Sequence, residues 1–176
     1  MPPILTPEPT TALTLREIND WPGAPSPDLA RNLQSGVRNA TFAVPGINRS
    51  VAVVRHLTRL WLDAQGIPDD STRYAVQLAV SELTTNAVEH TNSLVITTRL
   101  RNDRTSVLVE VQDQGGTPSV PQLKPPDTDL DHGRGLSLMA AVACGWGFRL
   151  DPTDNSCSVW AVVPHSDARG KATRAA

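Results

Sequence analysis

The sequence predicts an α+β domain, a two-layer sandwich in which helices cover one face of a mixed, mostly antiparallel sheet. Three observations carry this prediction. Short β-rich runs alternate with long amphipathic runs over residues 39–164. Two of the β-rich runs are separated by only four residues, as in a hairpin. The length of 176 residues, 39% of them hydrophobic, suits one domain with a substantial core.

The first half of the domain is predicted as a strand followed by two helices. The run NATFAV (39–44) favours a strand. In the first helix, which Gly66 ends, apolar residues recur every three or four positions: Val54, Leu57, Trp61 and Ala64. The second helix runs to about His90, with Leu83 and Ala87 among its apolar positions. Its candidate N-caps are the polar residues that precede it: Asp69, Asp70 and Ser71.

The second half is predicted as a hairpin, a long loop, a third helix and a last pair of strands. The hairpin strands are SLVITTRLR (93–101) and SVLVEVQD (106–113), joined by NDRT. After the loop, GRGLSLMAAVACG is typical of a glycine turn that opens a helix. WGFRLD and SCSVWAVVP predict the closing strands.

The two ends of the chain are predicted to be loose. Residues 1–38 are rich in Pro, Thr, Asp and Asn, which favours a flexible extension with short ordered pieces. Residues 165–176 are small and charged, which favours a loose C-terminal tail. The folded domain is therefore expected over residues 39–164.

Composition excludes several classes of protein. A formal net charge of −2 gives no basic surface for direct nucleic-acid binding. No apolar run approaches the roughly 20 residues that span a bilayer, and the N-terminus lacks the pattern of a signal peptide. Cys144 and Cys157 have neither metal-ligand spacing nor a disulfide framework. We expect a cytoplasmic protein with reduced thiols.

Three short motifs follow one another along the predicted domain. SELTTNAVEH places Glu82 and Asn86 one turn apart on the second helix. VEVQDQGG ends a strand with Asp113 and Gly115, and HGRGLSLM opens the third helix. Singly, each motif is also compatible with ordinary structure: a solvated helix stripe, a turn after a strand, and a glycine turn before a helix. Their conjunction, in this order and on these elements, is more specific.

The residue types in the first two motifs suit nucleotide chemistry. The amide oxygen of Asn86 is a ligand that Mg²⁺ accepts beside substrate phosphates. Glu82 lies one turn earlier, where it can orient or deprotonate an attacking hydroxyl or water. The Asp113 carboxylate can accept a hydrogen bond from an exocyclic amine. Gly115 lets the backbone approach a flat ligand closely.

The third motif suits phosphate. Gly133 and Gly135 would present backbone N–H groups at a helix N-terminus, which attracts anions. Arg134 between them can reach a phosphate, although a solvated arginine fits nearly as well. The spacing is not that of a P-loop. Residues 116–132 in front of it are rich in Pro, Asp and Thr, which predicts a mobile loop.

The quoted motifs resemble the N, G1 and G2 boxes of the GHKL superfamily of ATP-binding proteins, which share the Bergerat fold. The resemblance covers residues 39–164 and is strongest to the RsbW/SpoIIAB-like anti-sigma-factor serine kinases. It implies a Bergerat ATP-binding domain with a mobile ATP lid, formed by residues 116–132.

The resemblance also implies roles for single residues. Glu82 corresponds to the proposed catalytic base and Asn86 to the Mg²⁺ ligand. Asp113 corresponds to the residue that binds the adenine amine, with Gly115 beside it. The second glycine box of the family closes over the phosphates, and it corresponds to Gly133, Arg134, Gly135 and Leu136. A late-strand Thr in G-K-T-x-W-A often supports the adenine-binding Asp; SCSVWA places Ser158 there, with Ser156 and Cys157 replacing Gly-Lys.

Three functions are open at this stage. The first is a serine/threonine protein kinase that binds Mg-ATP, sequesters a sigma factor and phosphorylates a STAS-type anti-anti-sigma protein. The resemblance implies a homodimer for it. The second is a non-catalytic regulator in which ATP sets a partner-binding surface. The third, a detached sensor-kinase domain that phosphorylates His, is disfavoured because the chain has no room for a helical dimerisation and phosphoacceptor segment.

Overall fold

Six strands form one mixed sheet in the computed structural model, which describes residues 10–21, 38–115 and 135–166. The strands are β1 (Thr10–Ala12), β2 (Asn39–Pro45), β3 (Val95–Asn102), β4 (Ser106–Gln112), β5 (Gly145–Leu150) and β6 (Cys157–Pro164). Their order across the sheet is β1-β2-β3-β4-β6-β5. β1 pairs parallel with β2, and the other neighbouring pairs are antiparallel. The predicted α+β class is confirmed.

Helices cover one face of this sheet. They are α1 (Leu15–Asn19), α2 (Asn48–Ala64), α3 (Asp70–His90) and α4 (Gly135–Val142). α2 packs against α3, α3 lies across β4, and α4 packs on α3. Along β4 the buried residues alternate with partly exposed ones, because only one face of the sheet meets the helices.

The hydrophobic core lies between the sheet and the two long helices. Leu57 and Trp61 of α2 are buried as the periodicity predicts, whereas Ala64 in the last turn is exposed. Burial of this apolar surface is the main force that holds the helices on the sheet. The largest fully buried side chains come from both layers: Trp61, Phe42, Ile18, Leu57, Leu62, Ile96, Leu100 and Met139.

Asp69 is the N-cap of α3, one of the three candidates from the sequence. Its carboxylate accepts hydrogen bonds from the Ser166 hydroxyl at 2.6 Å and from the Thr72 backbone N–H. These hydrogen bonds, with the one from Ser166 contributing most, lower the pKa of Asp69 from 3.8 to about 2. The backbone N–H of His165 donates to the Thr105 carbonyl at 2.9 Å. The first two residues of the predicted loose tail are therefore tied to the domain.

Residues 10–21, which we call the N-terminal strap, pack on the domain. β1 extends the sheet beside β2, and Leu13 and Ile18 are buried in the core. Arg49 of α2 donates to the carbonyls of Ile18 at 2.9 Å and Trp21 at 2.8 Å. The sequence predicts only short ordered pieces within a flexible extension 1–38. The strap is such an ordered piece, and it packs on the domain because Leu13 and Ile18 are buried in the core.

None of the helices that the structure describes is long and apolar enough to cross a membrane.

Candidate functional site

α3 carries Glu82 and Asn86 along one side, half-buried at the border of the core. The helix is anchored by two buried residues, Leu83 directly after Glu82 and Ala87 directly after Asn86. A spacing of four residues sets the Glu82 and Asn86 side chains one above the other on the helix. Glu82 and Asn86 therefore lie one turn apart on the same helix, as the sequence predicts.

Glu82 sits in an environment that favours its protonated form. Burial raises the pKa of its carboxyl, and the carboxylate of Glu89, two turns further along α3, raises it further. A carboxyl whose pKa is moved toward neutrality holds a transferred proton more readily than an exposed one, which suits a general base.

Asp113 directly follows β4 and is 8% exposed. Its backbone N–H donates to the Cys157 carbonyl at 3.0 Å. In return, the Cys157 N–H donates at 3.1 Å to Oδ1 of Asp113. The carboxylate thus takes the place of a main-chain carbonyl at the end of the β4–β6 ladder.

Oδ1 of Asp113 accepts one more hydrogen bond, from the Gly115 N–H at 2.7 Å. Oδ2 receives none from residues 10–21, 38–115 or 135–166. A nearly buried carboxylate whose one oxygen holds two backbone donors has a fixed orientation, and its other oxygen is left to accept a donor from a ligand.

Gly115 is required by the turn that follows Asp113. Its φ is +78°, and a Cβ at this position would lie 2.3 Å from the Asn155 carbonyl oxygen. Asn155, in the connection between β5 and β6, itself has a φ of 59°. The two turns pack backbone against backbone, which only glycine permits at position 115.

A chain of hydrogen bonds joins the end of α3 to the Asp113 turn. The Thr91 hydroxyl donates to the Ala87 carbonyl at 2.6 Å, and its oxygen lies 2.8 Å from the Ser93 hydroxyl, from which it can accept a second hydrogen bond. The same Ser93 oxygen accepts the Gln114 backbone N–H at 2.9 Å. The helix that carries Glu82 and the turn that carries Asp113 are therefore braced together. Sequence reasoning missed these residues; the only signal was two hydroxyl residues right after the helix.

Ser158 is not brought to Asp113. It pairs with Gln112 in the β4–β6 ladder, and paired residues share a face of the sheet. Asp113 is one residue further along and so belongs to the opposite, helix-covered face. Cys157 lies on that face, where burial raises the pKa of its thiol and the Asp113 carboxylate raises it further. The residue beside the Asp113 carboxylate is therefore Cys157, one position before the one that the sequence indicated.

The remaining predicted residues belong to the third motif. Gly133, Arg134 and the predicted lid 116–132 lie outside the described residues. Gly135 is the first residue of α4, as the glycine turn predicted. Leu136 follows it, partly buried against the core.

No group of three or more His, Cys, Asp and Glu side chains suited to a metal occurs in the described ranges. Asn86 carries an amide oxygen, a ligand type that Mg²⁺ accepts. Mg²⁺ is commonly held by one or two protein oxygens together with substrate phosphates and water. The residues present fit an ion that arrives with a nucleotide.

A cavity of about 130 Å³ lies at the N-terminal end of α3. Thr72, its lining residue on α3, lies ten positions before Glu82, and the cavity is separate from the three motifs. Asn102 Oδ1 and His165 Nε2 are buried there without a hydrogen-bond partner among the described residues. Its lining comprises Gln65, Gly66, Ile67, Pro68, Asp69, Thr72, Asn102, His165 and Ser166.

Comparison with known families gives a match over most of the folded domain. The model of the histidine kinase-like ATPase domain matches residues 44–156, from β2 to the residue before β6. All three motifs fall inside this range. Among curated proteins no relative matches the chain. Because the match covers well over half of the 176 residues and the fold is the expected sandwich, the chain belongs to the histidine kinase-like ATPase domains of the GHKL superfamily, which bind ATP.

Proposed function

We propose that this chain is an ATP-dependent serine/threonine protein kinase of the anti-sigma-factor type. It binds Mg-ATP, sequesters a sigma factor and phosphorylates a STAS-type anti-anti-sigma protein, and it acts as a homodimer. The observation that carries the proposal is the pairing of an oriented, nearly buried Asp113 with a half-buried Glu82 of raised pKa on the helix braced to it.

In this proposal Asp113 selects the base. Oδ1 is held by two backbone N–H groups, and Oδ2 accepts the exocyclic amine of adenine. A guanine presents a carbonyl oxygen at the equivalent position, which would face the carboxylate with like partial charge. The pocket is therefore suited to ATP over GTP.

Asn86 and Glu82 act at the phosphate end. The Asn86 amide oxygen is a ligand of Mg²⁺, which neutralises phosphate charge when it is bound. Glu82 accepts the proton of the attacking Ser or Thr hydroxyl. That oxygen bonds to the γ-phosphorus, the bond from the γ-phosphorus to the bridging oxygen breaks, and ADP leaves.

The first experiment is a calorimetric ATP titration of the wild type and Asp113→Asn, with and without Mg²⁺. The variant keeps an oxygen for the two backbone donors but replaces the free oxygen with an NH₂ group. Loss of a charged hydrogen bond of about 1.5–3 kcal/mol predicts affinity about 10- to 150-fold weaker. Ser158→Ala, on the other face of the sheet, is the matched control and should bind ATP as the wild type does.

Phosphate transfer is then measured with γ-labelled ATP and a panel of purified STAS-domain proteins from the same organism. The kinase predicts acid-stable label on one of them, and Glu82→Gln should bind ATP but lose the transfer. If the wild type binds ATP and labels none of the panel, while ATP still changes its affinity for a sigma factor, the chain is a non-catalytic regulator and the kinase proposal is wrong. Acid-labile label on the chain itself would instead indicate a histidine kinase domain.

A further inference from the structure

The cavity at the N-terminal end of α3 is built where separate segments of the fold meet. The connection between α2 and α3 supplies residues 65–69, β3 supplies its last residue, Asn102, and the chain after β6 supplies His165 and Ser166. Ser166 is tied to the start of α3, because its hydroxyl donates to the Asp69 carboxylate at 2.6 Å. The cavity is therefore a feature of the packed domain, and none of the described residues of the three motifs lines it.

Two residues that line this cavity each carry a polar atom without the partner that buried polar atoms normally have. Oδ1 of Asn102 and Nε2 of His165 are buried, and neither has a hydrogen-bond partner in residues 10–21, 38–115 or 135–166. The other end of the Asn102 amide is held, because its NH₂ group donates to Oε1 of Gln65 at 3.2 Å. An unpartnered buried oxygen costs free energy that is regained when a ligand supplies a donor. Oδ1 of Asn102 can only accept, so the group missing there is a donor.

The charge of the lining favours a cation over an anion. Asp69 is ionised at neutral pH, because hydrogen bonds, chiefly that from Ser166, lower its pKa to about 2. The described residues that line the cavity include no Lys or Arg. The start of α3 contributes a partial positive charge of about half a unit, which the full negative charge of the carboxylate exceeds. The N-cap residue thus reverses the usual preference of a helix N-terminus for anions.

We propose that this cavity binds a small organic cation that carries N–H donors, of the guanidinium or primary-ammonium class. Its N–H groups donate to Oδ1 of Asn102 and to Nε2 of a neutral His165 whose ring proton is on Nδ1, and its charge lies near Asp69. The volume of about 130 Å³ limits the ligand to a small one, since a cavity of about 150 Å³ holds benzene. The site is distinct from the proposed ATP site and does not depend on it.

The test is an NMR titration of the isotope-labelled full chain with guanidinium chloride at constant ionic strength. We expect saturable chemical-shift changes at Asn102, His165 and Ser166, with a Kd of about 1–10 mM for so small an ion. Such concentrations are far below the molar range in which guanidinium unfolds proteins. The signals of Glu82 and Asp113 should not move. Urea has the same planar shape without the charge, and it should bind at least about tenfold more weakly.

Two substitutions of Asn102 change the contact in opposite directions. Asn102→Asp keeps the oxygen and adds negative charge, so it should bind guanidinium about three- to tenfold more tightly. Asn102→Leu removes the oxygen and should bind it about tenfold more weakly. Asn92→Leu, at an exposed position after α3, is the matched control and should bind as the wild type does. Circular dichroism establishes that each variant is folded.

The outcomes decide the proposal. Saturable shifts at the cavity, with tighter binding by Asn102→Asp and weaker binding by Asn102→Leu, support it. Shifts that do not saturate, or that spread over the whole surface, overturn the site. Equal affinity for urea and guanidinium overturns the cationic class of ligand. Unchanged affinity in Asn102→Asp overturns the contact with Asn102, even if Asn102→Leu does not fold. Because no outcome involves ATP, absence of ATP binding by the same protein overturns only the proposed function.

Discussion

Glu82 lies half-buried on α3, where burial and the Glu89 carboxylate raise the pKa of its carboxyl. Such a group serves a proton transfer at the expense of folding stability, because its ionised form is less well solvated in the folded chain. Its neighbours Leu83 and Ala87 anchor the helix, so Glu82 is placed by residues that do no chemistry.

We predict that Glu82→Gln is more stable than the wild type at neutral pH. Below the ordinary pKa of 4.5 the carboxyl is protonated in both the folded and the unfolded chain, and burial has no ionic cost. As the pH rises past that value, the unfolded chain ionises first, so the wild type loses stability until the pH exceeds the raised folded-state pKa. Urea unfolding at about pH 4 and at about pH 8 measures the growing difference.

Glu89→Gln provides the matched comparison. It removes the repulsion but leaves Glu82 buried, so its stability should lie between those of the wild type and Glu82→Gln at about pH 8. A Glu82→Gln protein that is equally destabilised at both pH values would show that the side chain acts through packing and not through its charge.

The sequence predicts site residues where two of them lie close together on the same element. Glu82 and Asn86 are one turn apart on α3, and Asp113 and Gly115 lie in the same turn after β4, so each pair can be recognised from its spacing along the chain. The partner of Asp113 could not be predicted in the same way, because it depends on the register of β6 against β4. A displacement of one residue changes the face of the sheet, and that alone separates Ser158 from Cys157.

The Asp113–Gly115 turn is the element on which the site depends most directly. Its backbone is held by Oδ1 of Asp113, by the Ser93 hydroxyl and by close contact with the Asn155 backbone. The contact leaves no space for a side chain at position 115. A change there should displace the carboxylate as well as strain the chain.

We predict that Gly115→Ala costs more stability than Gly66→Ala and also weakens ATP binding. Both glycines have positive φ, but an added Cβ meets nothing within 4 Å at Gly66, whereas at Gly115 it meets the Asn155 carbonyl oxygen at 2.3 Å. Gly66→Ala should therefore cost only the left-handed strain of about 1–2 kcal/mol and leave ATP affinity unchanged. Urea unfolding and calorimetry on the two variants measure both effects.

Equal losses of stability with unchanged ATP affinity in both variants would contradict this view of the turn. In that case the Asp113 carboxylate would not depend on the backbone packing beneath it.

Elements were predictable where a periodic pattern extends over several turns or strand positions. α2 and α3 follow from the repeat of apolar residues, and Gly66 and Asp69 mark where one ends and the other begins. β1 was not predictable, because three residues with two threonines show no alternation, and a parallel pairing with β2 is set by distant contacts.

At the scale of the whole molecule, the folded unit begins at β1 if the N-terminal strap stays packed on the domain. The family match starts at residue 44, inside β2, and so leaves the strap outside the matched range. The structure nevertheless buries Ile18 completely and clamps the strap through Arg49. The strap also gives β2 a neighbour, which leaves one fewer long strand edge open to unwanted pairing.

Ile18→Ala therefore tests whether the domain needs the strap in solution. A fully buried isoleucine replaced by alanine should cost about 2–5 kcal/mol, because apolar burial is lost and a cavity remains. Leu15→Ala, in the same short helix, is the matched control: Leu15 is 56% exposed, so its loss should change stability by no more than about 0.5 kcal/mol. Urea unfolding of the full chain measures both. If Ile18→Ala lowers stability no more than Leu15→Ala does, the strap is detached in solution and the folded unit begins at residue 39. If Ile18→Ala lowers stability by the larger amount, the folded unit begins with β1. In that case, removal of residues 1–38 should also lower the stability of the ATP-binding domain.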